Sequence, residues 1–406
     1  MPKDQRLIYA AAFLRAMGVG MLGVLFALYL SLGGLNAGQI GILVAVGLGG
    51  SACGTFGVSF WADRIGRRRT ILILAALVLV GGAGLIAFPG FLGLGAFCFF
   101  GMVNAMGRER GALFTLEQTI LPETTGSRQR TQALAWYNVT MDVGQAIGSL
   151  LGGLPFLFRA RFSVGEFPSY QWTFALYLAF ACVSLFLYMG LSPRVEIHGP
   201  LPRHKAGGQA WHRVTPSSRR IITRLSLLFG FDSLAGGFLP GSLIAYWFFK
   251  RFGVGEQMLA PLFFIAHLAN ALSYLVAAWV SRRIGLVRTM VFTHIPANLC
   301  LIAIPFAPSL GAAALFYLVR ECLVEMDVPT RQSYVMAVVE PAERTLAAGV
   351  TNLTRLLAWT VAPGFAGLAM NSLSLSLPLF MGGGMKILYD VLLYRSFRHI
   401  RPPEER

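Results

Sequence analysis

WADRIGRRRT, at residues 61–70, recurs in altered form as WVSRRIGLVRT at residues 279–289. Each copy lies between two long apolar stretches. A second segment, RTQALAWYNVT at 130–140, is similar to RTLAAGVTNLT at 344–354, which lies 214 residues further along the chain. Matched segments in the same order indicate that the chain uses one structural unit twice.

A third match lies near the start of each unit, where Gly20 and Tyr29 correspond to Gly237 and Tyr246.

The unit consists of apolar spans. The chain is 55% hydrophobic and 13% charged, whereas a soluble domain carries roughly 25% charged residues. Each apolar stretch approaches the roughly 20 residues that cross a bilayer. Spans 1 to 12 are predicted at 7–32, 38–60, 70–89, 92–121, 131–156, 172–192, 221–249, 257–280, 290–307, 310–338, 346–370 and 373–393.

The longest polar stretch divides these spans into six and six. Residues 193–220 contain Pro, Gly, His and basic residues, as a linker between two bundles would. We therefore predict an all-α polytopic membrane protein with twelve transmembrane helices in two pseudo-symmetric six-helix bundles. The bundles are predicted at residues 1–192 and 221–406.

The net charge of +16 has a topological explanation. Most Lys and Arg residues fall near the termini, in the linker and in the connections after even-numbered spans, while the opposite connections hold few. Basic residues concentrate on the cytoplasmic side of membrane proteins. The pattern predicts an inner-membrane protein with both termini in the cytoplasm, and it removes the reason to expect nucleic acid as a partner.

The segment between spans 2 and 3 resembles the cytoplasmic signature of the major facilitator superfamily, Gly-x-x-x-Asp-Arg-x-Gly-Arg-Arg. Ser59 stands where the family has its leading Gly, and the second copy of the segment lacks the acid. The resemblance implies a gating latch, with a merely topological anchor as the alternative. The matching residues are Asp63, Arg64, Gly66, Arg67 and Arg68. The resemblance also implies the major facilitator fold, with a substrate path between two parallel halves.

Span 5 carries a glycine motif that resembles the antiporter signature of exporters in this superfamily. Ser149 stands where Pro is usual. Small residues four apart also let helices approach closely, so ordinary packing is the alternative interpretation. The motif residues are Gly144, Gly148, Gly152 and Gly153.

Ionisable residues within the spans are candidates for a transport pathway, because charges in hydrocarbon are costly and usually functional. Arg15 and Asp232 are 217 residues apart, the spacing that relates Gly20 to Gly237. Spans 1 and 7 face each other in the expected fold, so we predict a cross-half ion pair, either transport-linked or purely structural.

Spans 4 and 10 carry a related set of charges. Glu321 and Glu325 share a helical face, and two close carboxylates in a low dielectric resist ionising together. That property suits proton coupling, although a satisfied structural network is an equal alternative. The candidates are Arg108, Glu109 and Arg110 in span 4, and Arg320, Glu321, Glu325, Asp327 and Arg331 in span 10.

Asp142 in span 5 is a further candidate because it is an isolated acid beside the glycine motif. His267 and His294 lie within spans without neighbouring acids or cysteines at ligand spacing. We therefore predict that these histidines are structural, with no metal site.

The leading functional hypothesis is a secondary active transporter that works by alternating access and exports a small organic solute in exchange for protons. The alternative is proton-driven uptake of an organic anion or metal complex. No nucleophile–His–acid pattern favours an enzyme, and no cofactor is expected. The expected partners are a small solute, protons and lipid, and the protein is expected to act as a monomer.

Overall fold

The computed structural model describes residues 3–88, 90–109, 111–124, 130–196, 215–339 and 343–399. The described residues form sixteen α-helices, two short 3-10 helices and no strands. The first eight helices are α1 Lys3–Leu32, α2 Ala37–Ile65, α3 Arg67–Ala87, α4 Phe91–Phe100, α5 Ala112–Thr124, α6 Arg130–Leu151, α7 Leu154–Phe162 and α8 Glu166–Met189. The others are α9 Pro216–Gly237, α10 Gly241–Phe252, α11 Glu256–Ile284, α12 Leu286–Ala303, α13 Leu310–Val324, α14 Asp327–Val338, α15 Arg344–Ser372 and α16 Leu377–Phe397.

Nine helical stretches within the described residues are long and apolar enough to cross a membrane. They coincide with predicted spans 1, 2, 3, 5, 6, 7, 8, 9 and 11. Spans 4 and 10 are each divided into two shorter helices. Span 12 forms the single helix α16, which carries Lys386 and Asp390 near its middle and is therefore less apolar. The predicted all-helical membrane fold is confirmed.

Four predicted spans contain breaks that hydropathy did not reveal. Span 7 is interrupted at 238–240, where Pro240 cannot donate a backbone hydrogen bond within a helix and instead precedes α10. Span 5 is interrupted at Gly152–Gly153. The breaks in spans 4 and 10 lie at 101–111 and 325–326.

The repeated segments form the same turn in both copies. Gly66 between α2 and α3 has φ 104°, and Gly285 between α11 and α12 has φ 89°. Only glycine adopts this region readily. Thr70 Oγ1 donates to Gly66 O at 2.8 Å, and Thr289 Oγ1 donates to Gly285 O at 2.7 Å. The duplication seen in the sequence is therefore a duplication of local structure.

The glycine motif of span 5 lies against α1. A Cβ on Gly148 would lie 2.7 Å from Met17 Cα, and one on Gly144 would lie 2.8 Å from Phe13 O. From the other side, a Cβ on Gly20 would lie 2.9 Å from Ser149 N. These glycines allow α1 and α6 to approach at backbone distance. Close packing thus accounts for Gly144 and Gly148.

The described chain forms two compact units. The first comprises residues 1–201, 240–268 and 363–373, and the second comprises 202–239, 269–362 and 374–406. Within the first unit α1 packs along α6, α8 and α10. Within the second unit α12 packs along α13, α14 and α16. Most of the predicted linker, 197–214, lies outside the described residues, and the division at the linker stays a prediction.

Gly148→Ala is expected to destabilise the protein by about 1–3 kcal/mol, because the new methyl group overpacks against the Met17 backbone. The measurement is the unfolding temperature in detergent. Gly384→Ala is the matched control, since a Cβ there meets nothing within 4 Å. Equal unfolding temperatures for the two variants would contradict the packing argument.

Candidate functional site

Arg15 of α1 is held by Glu117 of α5 in a bidentate ion pair. Arg15 Nη2 lies 2.5 Å from Glu117 Oε2, and Nη1 lies 3.2 Å from Oε1. Glu117 is 0% exposed and Arg15 is 9% exposed. Two parallel hydrogen bonds between opposite charges are among the strongest polar contacts in a protein interior.

Two tyrosines and a second acid complete this Arg15 network, which consists of Arg15, Glu117, Tyr137, Tyr188 and Glu109. Tyr188 Oη donates to Glu117 Oε1 at 2.6 Å, and Tyr137 Oη donates to Oε2 at 2.7 Å. Arg15 Nη1 also donates to Tyr188 Oη, and Arg15 Nε lies 3.6 Å from Glu109 Oε2. The network therefore joins α1, α5, α6 and α8.

Asp232 of α9 lies in a separate cluster in the second unit. Its Oδ1 accepts from Lys386 Nζ of α16 at 2.7 Å, and its Oδ2 lies 3.4 Å from Arg331 Nη1 of α14. Arg331 Nη1 lies closer to Asp327, at 2.6 Å. All four side chains are buried. We call Asp232, Lys386, Arg331 and Asp327 the Asp232 cluster.

Arg15 and Asp232 each have partners in their own unit, and the pairing of the two across the halves stays a prediction. The repeat relates the two pairs with their signs exchanged. Arg15 corresponds to Asp232 at a spacing of 217, and Glu117 corresponds to Arg331 at the spacing of 214 that relates 130–140 to 344–354. Each unit thus has a buried cation–anion pair at equivalent positions, with opposite polarity.

His294 of α12 and Asp390 of α16 form a buried pair beside this cluster. His294 Nδ1 lies 2.9 and 3.1 Å from the two carboxylate oxygens of Asp390. The residues are 1% and 0% exposed. Asp390 follows Lys386 by four residues on α16, so both lie on one helical face. Sequence reasoning missed Lys386 and Asp390, although two opposite charges four apart in an apolar span were a usable signal.

The acids of span 10 have individual donors from α11. Asn270 Nδ2 donates to Glu321 Oε2 at 2.8 Å, and Tyr274 Oη donates to Glu325 Oε2 at 3.0 Å. Arg320 pairs with the neighbouring Glu321. Glu325 follows the last residue of α13. The proposed joint titration of Glu321 and Glu325 stays a prediction.

Three further candidates remain. Asp142 is partly exposed on α6, and Arg108 is partly exposed in segment 101–111, between α4 and α5. The backbone carbonyl of Arg108 accepts from Asn104 Nδ2 at 2.7 Å. Arg110 lies outside the described residues.

Segment 101–111 receives hydrogen bonds from the start of α10. Gly241 N donates to Met106 O at 3.1 Å, and Ser242 N donates to Ala105 O at 3.3 Å. Non-helical backbone at membrane depth persists where protein groups satisfy it. The break in span 4 therefore provides acceptors for the helix that begins after the break in span 7.

The signature turn at Gly66 is tied to the end of α8. Asp63 pairs with Arg67 at 2.9 Å. Glu196 accepts from the backbone N–H groups of Arg67 and Arg68 at 2.6 and 3.1 Å, which caps the N-terminus of α3. Sequence reasoning missed Glu196. The latch role of the signature stays a prediction.

Glu343 provides a comparable cap in the second unit. It accepts from Thr215 N at 2.7 Å and joins the residue before α15 to the start of α9. The pKa of the Glu343 carboxyl lies below its usual value. The main cause is a hydrogen bond from Ser218, and hydrogen bonds from Thr215 add to it.

A last ion pair connects distant parts of the first unit. Arg159 at the end of α7 pairs with Glu256 at the start of α11. Tyr170 Oη donates to Glu256 Oε2 at 2.9 Å. The short connection that carries Arg159 was predicted to lie on the side opposite the termini.

A helical chain with a duplicated unit, membrane-length apolar helices and buried ion pairs has the features of a multi-pass membrane protein. The Major Facilitator Superfamily matches residues 8–363. The chain belongs to this superfamily and is a secondary transporter rather than an enzyme.

Several known proteins are similar to this chain over nearly its whole length. An uncharacterized membrane protein of Saccharomyces cerevisiae is 25% identical over 421 residues, covering 97% of this chain and 94% of that protein. A D-xylose–proton symporter has a similar structure, with a TM-score of 0.74 at 16% identity over 99% of this chain and 98% of that one. A bacterial homolog of the human lysosomal transporter Spinster has a TM-score of 0.74 at 17% identity, over 97% of this chain and 96% of that one.

A POT family transporter in complex with 5-aminolevulinic acid gives a TM-score of 0.74 at 15% identity, over 98% of this chain and 97% of that one. At these identities the solved structures support the fold alone.

Glu117→Gln is expected to cost about 3–5 kcal/mol of stability, because buried Arg15 loses its bidentate counter-charge and keeps only Glu109, at 3.6 Å. The double variant Arg15→Met/Glu117→Gln should recover part of this loss, since it removes both partners of the bidentate pair. Unfolding temperatures in detergent provide the measurement, with exposed Glu166→Gln as control. Additive losses in the double variant would refute the coupling.

Proposed function

We propose that the protein is a secondary active transporter that exchanges a small organic solute for protons by alternating access, and that the solute moves outward. The observation that carries the proposal is the Asp232 cluster with its neighbouring His294–Asp390 pair. Together they place three carboxylates, one lysine, one arginine and one histidine in the buried interior of the second unit. Such groups at membrane depth are costly and mark ion or substrate pathways.

The two units differ in how their buried charges are held. In the Arg15 network, the four carboxylate contacts of Glu117 come from Arg15 and two tyrosines, so the acid is fully satisfied. In the Asp232 cluster, Arg331 is shared between two acids and lies 3.4 Å from Asp232. A cation that is shared between two carboxylates can change partner at a lower free-energy cost than a cation that is bonded twice to one carboxylate. The second unit is therefore the better candidate for proton coupling.

Two further observations support the proposal. The similar D-xylose–proton symporter is, by its name, coupled to protons. The glycine motif of α6 resembles the exporter signature, which favours outward movement, although its contacts with α1 also serve packing.

Proton-driven uptake of an organic anion is the second candidate, favoured by Arg355 of α15. Its guanidinium lies 4.7 Å from the ring centre of Trp359, and its Nε donates to Ser233 Oγ at 3.0 Å. Arg355 is partly exposed, whereas Arg15 and Arg320 are buried against Glu117 and Glu321. Arg355 is therefore the contact that we propose for an anion.

Asp232→Asn is expected to lower transport by about ten-fold or more, equivalent to about 1.4 kcal/mol in the barrier, because Lys386 loses its ionic partner. Proteoliposomes with an internal pH dye are challenged with a panel of sugars, nucleosides, peptides and organic cations. Solute and proton fluxes in opposite directions identify export by exchange. Solute and proton fluxes in the same direction identify uptake. Glu166→Gln serves as control. Proton-independent fluxes for every transported solute would refute the coupling.

In the proposed topology, the protein lies in the inner membrane and both of its termini are in the cytoplasm. Alkaline phosphatase inserted between α7 and α8, at 163–165, should be active because the proposed topology puts this connection on the side opposite the termini. The same insertion in the linker, at 197–214, should be inactive. Reversed activities would invert the topology.

A further inference from the structure

We infer that the buried His294–Asp390 pair is the proton-binding site of this transporter, and that Lys386 transmits the protonation of His294 to Asp232. The inference deepens the proposed proton coupling and rests on it for its role in transport. It concerns α12 and α16, helices on which the sequence suggested no functional residue.

The geometry places a titratable pair on the same helix as a buried lysine that contacts Asp232. His294 Nδ1 contacts both oxygens of Asp390, at 2.9 and 3.1 Å. Lys386 lies one helical turn before Asp390, and its Nζ contacts Asp232 at 2.7 Å. The lysine is therefore bonded to α9 while it shares a face of α16 with the partner of His294.

The groups around His294 come from several elements. Tyr389, Lys386 and Asp390 come from α16, Asp327 from α14 and Asp232 from α9, while Arg331 of α14 and Arg355 of α15 interact with Asp232. The Tyr389 hydroxyl is buried and has no hydrogen-bond partner among the described residues.

Charge balance gives the pair its role. With His294 protonated, each of three carboxylates has a cation in direct contact: His294 for Asp390, Lys386 for Asp232 and Arg331 for Asp327. Unperturbed lysine and arginine side chains are charged near neutral pH, whereas an unperturbed histidine titrates between pH 5 and 8. Histidine is therefore the residue type of this set whose unperturbed pKa lies nearest neutral pH, and we assign it the exchange of protons.

Loss of the proton changes the balance by one charge. The imidazolium releases its Nε2 proton and becomes neutral imidazole, with Nδ1–H still directed at Asp390. The Asp390 carboxylate then lacks the cation that contacts it, and Lys386 lies one helical turn away on the same face of α16. As Lys386 turns toward Asp390, Asp232 loses its 2.7 Å contact with the ammonium and keeps Arg331 at 3.4 Å. Proton occupancy at His294 is thus converted into a changed contact between α16 and α9.

Trp359 provides a local reporter of this movement. A Cβ on Gly236 of α9 would lie 3.4 Å from Trp359 Nε1 and 3.6 Å from Lys386 Nζ, so the indole and the ammonium flank the same glycine. Displacement of the ammonium changes the electric field at the indole, and hence its fluorescence.

The test is a fluorescence titration of the full chain in lipid nanodiscs, from about pH 5 to 8, with no solute present. The Trp359 signal is the difference between the wild type and Trp359→Phe. We expect a single titration in the wild type that is abolished in His294→Gln and in Lys386→Met. Exposed His399→Gln is the matched control and should titrate as the wild type does.

Persistence of the titration in folded His294→Gln, or its absence in the wild type, would overturn the inference. If His294→Gln does not elute as a monodisperse protein, Asp390→Asn takes its place, because it keeps the side-chain shape and removes the charge that holds Lys386 after deprotonation. That variant should also abolish the titration, and an unchanged signal would count against the inference.

A proton-flux arm separates this inference from the proposed function. Solutes that move protons in wild-type proteoliposomes should fail to do so with His294→Gln. Unchanged proton flux in the variant would refute the His294 site and leave the proposed function intact. A normal fluorescence titration in a wild type that shows no solute-linked proton flux would refute coupling while supporting the proton-binding site.

Discussion

A charge removed from water must be paired, and this constraint determines how the helices of each unit are joined. Arg15 and Glu117 are 102 residues apart in sequence, and their ion pair connects α1 to α5. The two tyrosines that donate to Glu117 connect α6 and α8 to the same carboxylate. In the second unit, Lys386 and Asp232 connect helices 154 residues apart. Removing one partner would leave the other buried and unpaired, which is the costly outcome.

The inverted polarity of the two pairs follows from duplication under the same constraint. A buried pair needs one charge of each sign, but it is indifferent to which helix supplies which. Arg15 and Asp232 occupy equivalent positions, and Glu117 and Arg331 do as well. The duplicated units could therefore exchange signs without losing the pairing. The exchange leaves the second unit with a shared arginine and the first with a saturated glutamate, so the units differ chemically despite a common fold.

The backbone obeys the same rule as the side chains. Where span 4 is not helical, carbonyls of segment 101–111 accept hydrogen bonds from the first residues of α10. Glycines permit the close approach that this requires: a Cβ on Gly23 of α1 would lie 2.7 Å from Gly107 Cα in that segment. Interrupted helices in a membrane are stable only where neighbouring protein groups satisfy the exposed peptide groups.

The sequence by itself determined the helical membrane fold, the duplication and the turn glycines, because apolar length, repeated segments and the need for a positive φ are local properties. It also indicated Arg15, Asp232 and Arg331 as buried charges. It could not assign their partners, because a partner depends on how far each helix is rotated about its axis and shifted along it. Only the tertiary structure therefore decided that Arg15 pairs with Glu117, and that His294 lies against Asp390.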